Sequence, residues 1–505
     1  MASTHPPSGG GAADTSPASN RAGRVEAHGI DHIPDGERQG RPRELFAVWA
    51  AANVNYLGLV VGGVLILMGL SLWQALLVCV VGNLFWVLVG ILAVSGPASG
   101  TPSEVVMRAM FGVRGNRVNI AVTGWALCIC YIALNLAAAA VAGFSLVEKA
   151  GVEANTGVRA AVIVVISAIT LAISVYGHAT IVKLYLPITL LLTGAFAIIG
   201  FEVLRRARWD YTPAEPLEGT ALWAALLIGV TLIASGPLSY TNSADFSRYL
   251  RRTTSPAAVA GWTTLGGFLP GVVVTFLGSL AATAIDMAEP QAALESILPG
   301  WFVPVFPFVL ILSTIAINAM SAYSSGLALQ AMGVRIRRSL SVIVDGVLAA
   351  ALTTYALFVS NFLDSVSNML QLTVVLLGPS TAIYATDILL RRNRYDGPGL
   401  TDTTEEGPYW YSSGVNWAGF AALVAGTAAA TLCVDTLPYT GPVARAIGLD
   451  LSLPVGMTLA AVVYALMARS YKAPGTRAPE APKTSGNPGA PRAPRAPEAD
   501  AENAV

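Results

Sequence analysis

The side chains that could do chemistry in this chain stand where apolar residues would be the cheaper choice. One such stretch reads Ala-Ala-Ala-Asn53-Val-Asn55-Tyr56-Leu-Gly58, and another reads Ser235-Gly236-Pro237-Leu-Ser239-Tyr240-Thr-Asn-Ser-Ala-Asp245-Phe-Ser247-Arg248-Tyr249. Gly, Pro and small polar residues inside an apolar run interrupt a helix and free its backbone N–H and C=O groups for a small polar ligand or an ion. Asp245 followed three residues later by Arg248 suits an ordinary salt bridge that anchors a helix end at the surface. Nothing points to an enzyme: G-x-x-x-x-G-K-[ST], H-E-x-x-H and G-x-S-x-G are all missing from the sequence. The cysteines, Cys79, Cys128, Cys130 and Cys433, lie in apolar runs. The C-x-C spacing turns Cys128 and Cys130 to different helix faces, unlike zinc ligands, so all four read as small core residues. No cofactor is expected. Asp345, Asp364 and Asp387 fall near the ends of apolar runs and read as solvated boundary residues, although a carboxylate inside a membrane span is the default proton-relay suspect. His178, the only histidine beyond the amino-terminal tail, falls in a short loop and receives no role.

Elements that could position these groups follow from composition. Of 505 residues, 54% are hydrophobic and 12% charged, against about 25% charged in an ordinary soluble domain, and the mean hydropathy is +0.61. A water-soluble fold is excluded. Thirty Lys and Arg balance thirty Asp and Glu, so no basic surplus exists to hold nucleic acid. A bilayer core takes about 20 apolar residues per helix. About twelve such runs lie near 45–69, 72–95, 118–146, 158–177, 181–203, 221–244, 257–284, 300–327, 339–360, 364–390, 413–434 and 450–470. Residues 1–43 and 471–505 are low-complexity tails that cannot bury a core, leaving 44–470 as the membrane domain.

An even number of spans puts both tails on one side. The loops on the tail side hold Arg108, Arg114, Arg117, Lys183, Arg248, Arg251, Arg252, Arg335, Arg337, Arg338, Arg391, Arg392 and Arg394. The contrary cluster Arg205, Arg206 and Arg208 is diluted by Asp210, Glu215 and Glu218. By the positive-inside rule both termini are cytoplasmic, in a multi-pass protein of the cell membrane expected to be a monomer. Paired interruptions in the first and sixth runs, corresponding members of two five-helix halves, point to an inverted-repeat transporter whose substrate sits at the bilayer midplane. The last two runs fall outside that repeat.

The Asp245-Phe-Ser-Arg248-Tyr249 stretch resembles the signature that ends the sixth helix in the nucleobase:cation symporter family, the purine and cytosine permeases. Gly100-Thr-Pro102 through Arg108, Phe111-Gly112 and Arg114-Gly115 is similar to that family's loop between helices two and three, and Asn318 through Tyr323-Ser324 to its eighth helix. The resemblance covers roughly residues 43–395. It implies an all-α, leucine-transporter-like fold of ten core helices plus two, and import of a nucleobase, cytosine or a purine first, by cation symport across the bilayer. A hydantoin, allantoin, a vitamin or an amino acid is the alternative cargo. A flat ring edged with donors and acceptors needs an aromatic face and edge-reading amides or hydroxyls. Trp125 matches the family's stacking tryptophan, on a helix face shared with Ile129 and Ala133. Many relatives carry an amide where this chain has Ile129, and Asn135 is rotated off that face. Asn318 and Asn53 match family asparagines and become the edge readers, Tyr240 a cap, and the backbone at Ser235 and Gly236 a direct partner of the ring. Where some relatives carry a second tryptophan at the sixth-helix break, this chain has Gly236-Pro237, and Tyr56, Tyr131 and Tyr323 are the other aromatic candidates. A sodium site of this fold uses hydroxyls on helix eight. Ser313 and Thr314 lie there, but the family's hydroxyl positions fall at Ala316 and Ile317. The resemblance to proton-coupled fungal permeases favours a proton as the coupling ion, with sodium as the alternative.

Overall fold

A computed structural model describes residues 28–176, 178–334, 336, 338–359 and 362–470. The first apolar run forms two helices, α1 (Glu44–Asn53) and α2 (Tyr56–Leu67), bent by 55° at the break between them. After it come α3 (Leu72–Ser99), α4 (Val113–Lys149), α5 (Thr156–Tyr176), α6 (His178–Leu204), α7 (Gly219–Leu238), α8 (Pro256–Ala282), α9 (Phe306–Ala331), α10 (Arg338–Val359), α11 (Phe362–Arg391), α12 (Trp417–Cys433) and α13 (Ser452–Ser470). Start signals are local: Ser71 and Gln74 form a capping box at α3, Pro256 stands in the first turn of α8, and Asn416 caps α12. Among the described residues nine helices, plus the bent α1–α2 pair, are long and apolar enough to cross a bilayer. α12 and α13 are shorter apolar helices, so ten spans of the expected twelve meet the length criterion.

Helices five apart pack together, α3 on α8, α4 on α9 and α5 on α10, while α12 and α13 lie against each other beside α11. This is the arrangement of two five-helix halves with two helices appended. Close approach of α8 to the first span needs residues without side chains. A Cβ on Gly278 would collide with the carbonyl of Leu59 in α2, and one on Gly266 would stand 2.7 Å from the Phe46 carbonyl oxygen in α1.

Several sequence expectations are corrected. The α-helix of the sixth run stops at Leu238, and its break is the turn 239–243 before a short helix, Ala244–Ser247. Residues 28–43, placed by composition in the tail, lie along the end of the bundle. There Ile33 N–H donates to Gly100 O at 2.9 Å, Gly40 N–H to Tyr249 O at 3.1 Å, and buried Arg38 to the carbonyls of Ile33 and Pro97. Asp245 and Arg248 are fully buried, not a surface anchor. Asp345 and Asp387 are also buried, because each has a partner that hydropathy cannot see. Asp345 accepts from Trp125 Nε1 at 2.7 Å, and Asp387 accepts from Arg391, Tyr395 and Tyr464. Residues 1–27 and 471–505, Arg335, Arg337, and the side chains of His178, Arg338 and Asp364 lie outside the described residues.

Since Gly278 meets backbone, not a flexible side chain, Gly278→Val is expected to destabilise the fold by about 1–3 kcal/mol or more. On the same helix, a methyl group added at Gly261 would meet nothing within 4 Å, so Gly261→Ala should be neutral or slightly stabilising. Thermal unfolding in detergent reads both; equal Tm values would show that the α2–α8 contact is not tight.

Candidate functional site

One side chain closes the break in the first span. Asn55 Nδ2 donates to the Ala52 carbonyl at the end of α1 at 2.6 Å, and its Oδ1 accepts from Gly58 N–H in the first turn of α2 at 2.8 Å. That amide satisfies an orphan group from each half-helix. Beside the break lies a cavity of about 90 Å³, several times the roughly 10–15 Å³ that one water needs. Its lining comes from Asn53, Asn55 and Gly58 of the first span, Asn83 of α3, Tyr131 and Asn135 of α4, Ser235, Gly236 and Pro237 of α7 with Ser239 and Tyr240 just after it, Gly271 and Thr275 of α8, and Ile317 and Ser321 of α9.

Amides dominate its polar wall in a repeated geometry. Asn53, Asn83 and Asn135 each donate Nδ2 to the carbonyl four residues earlier, Trp49, Cys79 and Tyr131, at 2.8, 2.8 and 2.9 Å. Such back-bonding spends one N–H of each NH2 on its own helix, Asn83 gives a second to Thr275 Oγ1 at 3.4 Å, and each amide also carries its oxygen as an acceptor. The aromatic wall is Tyr240, whose ring centroid is 5.0 Å from that of Trp49 and 5.5 Å from that of Trp86, with Phe246 5.5 Å from Trp49. These rings are buried, and of them Tyr240 lines the cavity.

Of the residues singled out in sequence, Asn53, Ser235, Gly236 and Tyr240 line this cavity, and Trp125, Asn318, Ser313 and Thr314 do not. The face of α4 that carries Trp125, Ile129 and Ala133 exists as expected, but it packs on Ala322 of α9 and on Val342 and Ala349 of α10. Trp125 sits in a π-helical turn, Ala121–Ala126. The face that meets the cavity is that of Tyr131 and Asn135. Asn318 is buried, donates Nδ2 to the Ile132 carbonyl at 3.0 Å, and so ties α9 to α4. The backbone groups at Ser235 and Gly236 are not free. Ser235 O accepts from Ser239 N–H at 3.0 Å and from the Tyr131 hydroxyl at 3.2 Å, and Gly236 O accepts from Ser239 Oγ at 2.6 Å. Pro237 has no N–H to donate to the Ile233 carbonyl four residues earlier.

Ser313 Oγ donates to Leu310 O at 2.8 Å, and Thr314 is buried beside it. The Ala316 carbonyl accepts from the Tyr185 hydroxyl of α6, and Thr189 Oγ1 donates to Ala47 O of α1 at 3.0 Å. Hydroxyls of α6 therefore occupy carbonyl oxygens of α1 and α9 that face it. Asn55, Asn83, Thr275 and Ser321 are site residues missed in sequence; their one signal is a polar residue inside an apolar run.

Paired broken helices around an asparagine-lined cavity, in two halves of five helices, fit a transporter built from inverted repeats. Residues 32–456 match the family described as permeases for cytosine/purines, uracil, thiamine and allantoin, and the chain belongs to that family. It is 24% identical over 458 residues to a putative purine-cytosine permease, YxlA, of Bacillus subtilis strain 168, with 88% of this chain and 96% of that protein covered. Two solved structures are similar in fold. Mhp1, a nucleobase-cation-symport-1 family transporter, in a closed conformation with bromovinylhydantoin bound, gives a TM-score of 0.70 at 20% identity. Its inward-facing form gives 0.67 at 18%. Each comparison covers 88% of this chain and 95% of the other.

Ser239 is half-buried and Ser235 fully buried one turn away. In a background with Cys79, Cys128, Cys130 and Cys433 replaced, Ser239→Cys is expected to react with a water-soluble maleimide at least tenfold faster than Ser235→Cys. Equal rates would mean that the cavity does not open at Ser239.

Proposed function

We propose that the protein is a secondary active transporter that imports a nucleobase, cytosine or a purine first, across the cytoplasmic membrane with a proton, both termini on the cytoplasmic side. The observation that carries the substrate class is the set of three back-bonded asparagines, Asn53, Asn83 and Asn135, lining a cavity with an aromatic wall at Tyr240. Three acceptors suit a neutral ring that presents N–H and exocyclic amino donors. An amino acid would bring a carboxylate and an ammonium group, and no charged side chain is among the lining residues described to pair with either. Membership of the family supports the same reading, since its description includes cytosine and purines. A hydantoin is the second reading, because the structurally similar Mhp1 is recorded with bromovinylhydantoin and a hydantoin presents the same ring N–H donors.

Proton coupling is supported by what surrounds α9. Ala316 and Ile317 bring no side-chain oxygen, and the neighbouring carbonyls of Ala316 and Ala47 already accept from Tyr185 and Thr189. A sodium ion there would lose its hydration shell to too few ligands.

Counterflow of labelled cytosine in proteoliposomes tests carriage, with unlabelled purines, uracil, hydantoins and thiamine as competitors. Asn53→Ala or Asn135→Ala is expected to weaken affinity about tenfold, the effect of losing a buried hydrogen bond worth about 1–3 kcal/mol. Asn318→Ala should change affinity by less than about twofold and lower the Tm, since a hydrogen bond between membrane helices is worth about 0.6 kcal/mol. The reverse ranking would move the site to Asn318. Uptake is further expected to rise as external pH falls, to collapse with a protonophore, and to survive replacement of sodium by choline at fixed membrane potential. Loss of uptake in choline would overturn the proton reading.

A further inference from the structure

Away from the cavity, the chain buries two carboxyl groups against each other. Glu104 stands in a short helix, Ser103–Val106, between α3 and α4, and Asp245 in the short helix after α7; they are 2% and 0% exposed. The two helices cap one another. Ser103 N–H donates to Asp245 Oδ1 at 2.9 Å, and Ala244 N–H donates to Ser103 Oγ at 3.0 Å. Asp245 Oδ2 accepts from Ser324 Oγ of α9 at 2.6 Å. Burial holds the Asp245 carboxyl above its usual range, opposed by these hydrogen bonds. Glu104 Oε2 is buried without a hydrogen-bond partner, and burial together with the charge of Asp245 holds the Glu104 carboxyl well above the usual carboxylate range.

Charge counting leads to the same place. Arg248 acts on both carboxyls and is fully buried, with Nη1 on Gly29 O at 2.7 Å and Nη2 on the Tyr323 hydroxyl at 3.0 Å. The other titratable groups that face the pair are Tyr384 of α11 and Cys128 of α4, both neutral near pH 7 in their ordinary forms. One cation cannot balance two ionised carboxylates in contact inside a protein, so one of them keeps a proton.

We propose that the Glu104–Asp245 pair is a proton-binding site, and that its single proton locks Ser103–Val106 against Ala244–Ser247 and α9 at the end of the bundle where residues 28–43 lie. Release of the proton from the Glu104 carboxyl to water leaves two adjacent anions facing one arginine, and their repulsion drives the two short helices apart. Rebinding neutralises Glu104 and closes them. The pair then links proton occupancy to access from that end, and the proposal rests on the transport reading above.

Proton movement and labelled-cytosine exchange are measured together in proteoliposomes, with a pH-sensitive dye reporting the lumen. Wild type is expected to move protons with the base. In Glu104→Gln, which preserves shape and cannot release a proton, the ratio of protons moved to base exchanged is expected to fall at least tenfold, and the pH dependence of exchange to flatten. A wild-type ratio and pH profile in that variant would overturn the proposal. Should Glu104→Gln be missing from the membrane, Asp245→Asn carries the same expectation, and absence of both variants would assign the pair to folding and overturn it as well. Wild type that exchanges neither cytosine, a purine nor a hydantoin would instead overturn the transport reading. Wild type that exchanges base without moving protons would leave transport standing and remove the proton site.

Discussion

A helix cannot be interrupted inside an apolar slab unless something replaces the hydrogen bonds it gives up, and in this protein that something is the amide of Asn55. It reaches back to the last turn of α1 and forward to the first turn of α2. With both half-helix ends satisfied, the chain can bend by 55° and open a polar cavity without exposing backbone to lipid. The other polar wall follows the same economy. Asparagines that would be costly in an apolar span each spend one N–H on their own helix. Each keeps its amide oxygen as an acceptor.

Fold and site were legible to different depths. Span positions agree with the helices to within a few residues for most runs, because a bilayer demands a length and an apolarity that local sequence must display. The break in the first span was legible for the same reason. The break in the sixth was displaced: Ser235-Gly236-Pro237 looks like an interruption, yet the carbonyls of these three residues accept from Ser239 and Tyr240 N–H and the helix runs on to Leu238. Helical periodicity also sorted α4 correctly into faces, grouping Trp125 with Ile129 and Ala133. It could not say which face meets the cavity, since that depends on α9 and α10, nearly two hundred residues or more away. Resemblance drew attention to Trp125 and Asn318, while geometry favours Tyr131 and Asn135.

Buried charge was the least legible feature. Near the end of an apolar run, hydropathy reads a carboxylate as solvated, because it sees only sequence neighbours. Asp245, Asp345 and Asp387 are instead held by groups far along the chain or on another helix, Ser103 and Ser324, Trp125, and Tyr464. Each removes a charge from water where two or more elements meet, and such a group is costly to strand if those elements part. These three carboxylates are therefore polar joints between elements.

The glycines of α8 bear on how such a molecule can move. Gly266 brings α8 against the backbone of α1, and Gly278 brings it against the backbone of α2. Surfaces that meet backbone to backbone have no rotamers with which to absorb a change of angle, so a swing of either half-helix against α8 would open a void or drive atoms together. The bend at Val54 behaves as a welded elbow, with α8 as the brace across both arms. Rearrangement must then carry α1, α2 and α8 as one body, and the sliding surfaces lie elsewhere, where side chains separate the helices.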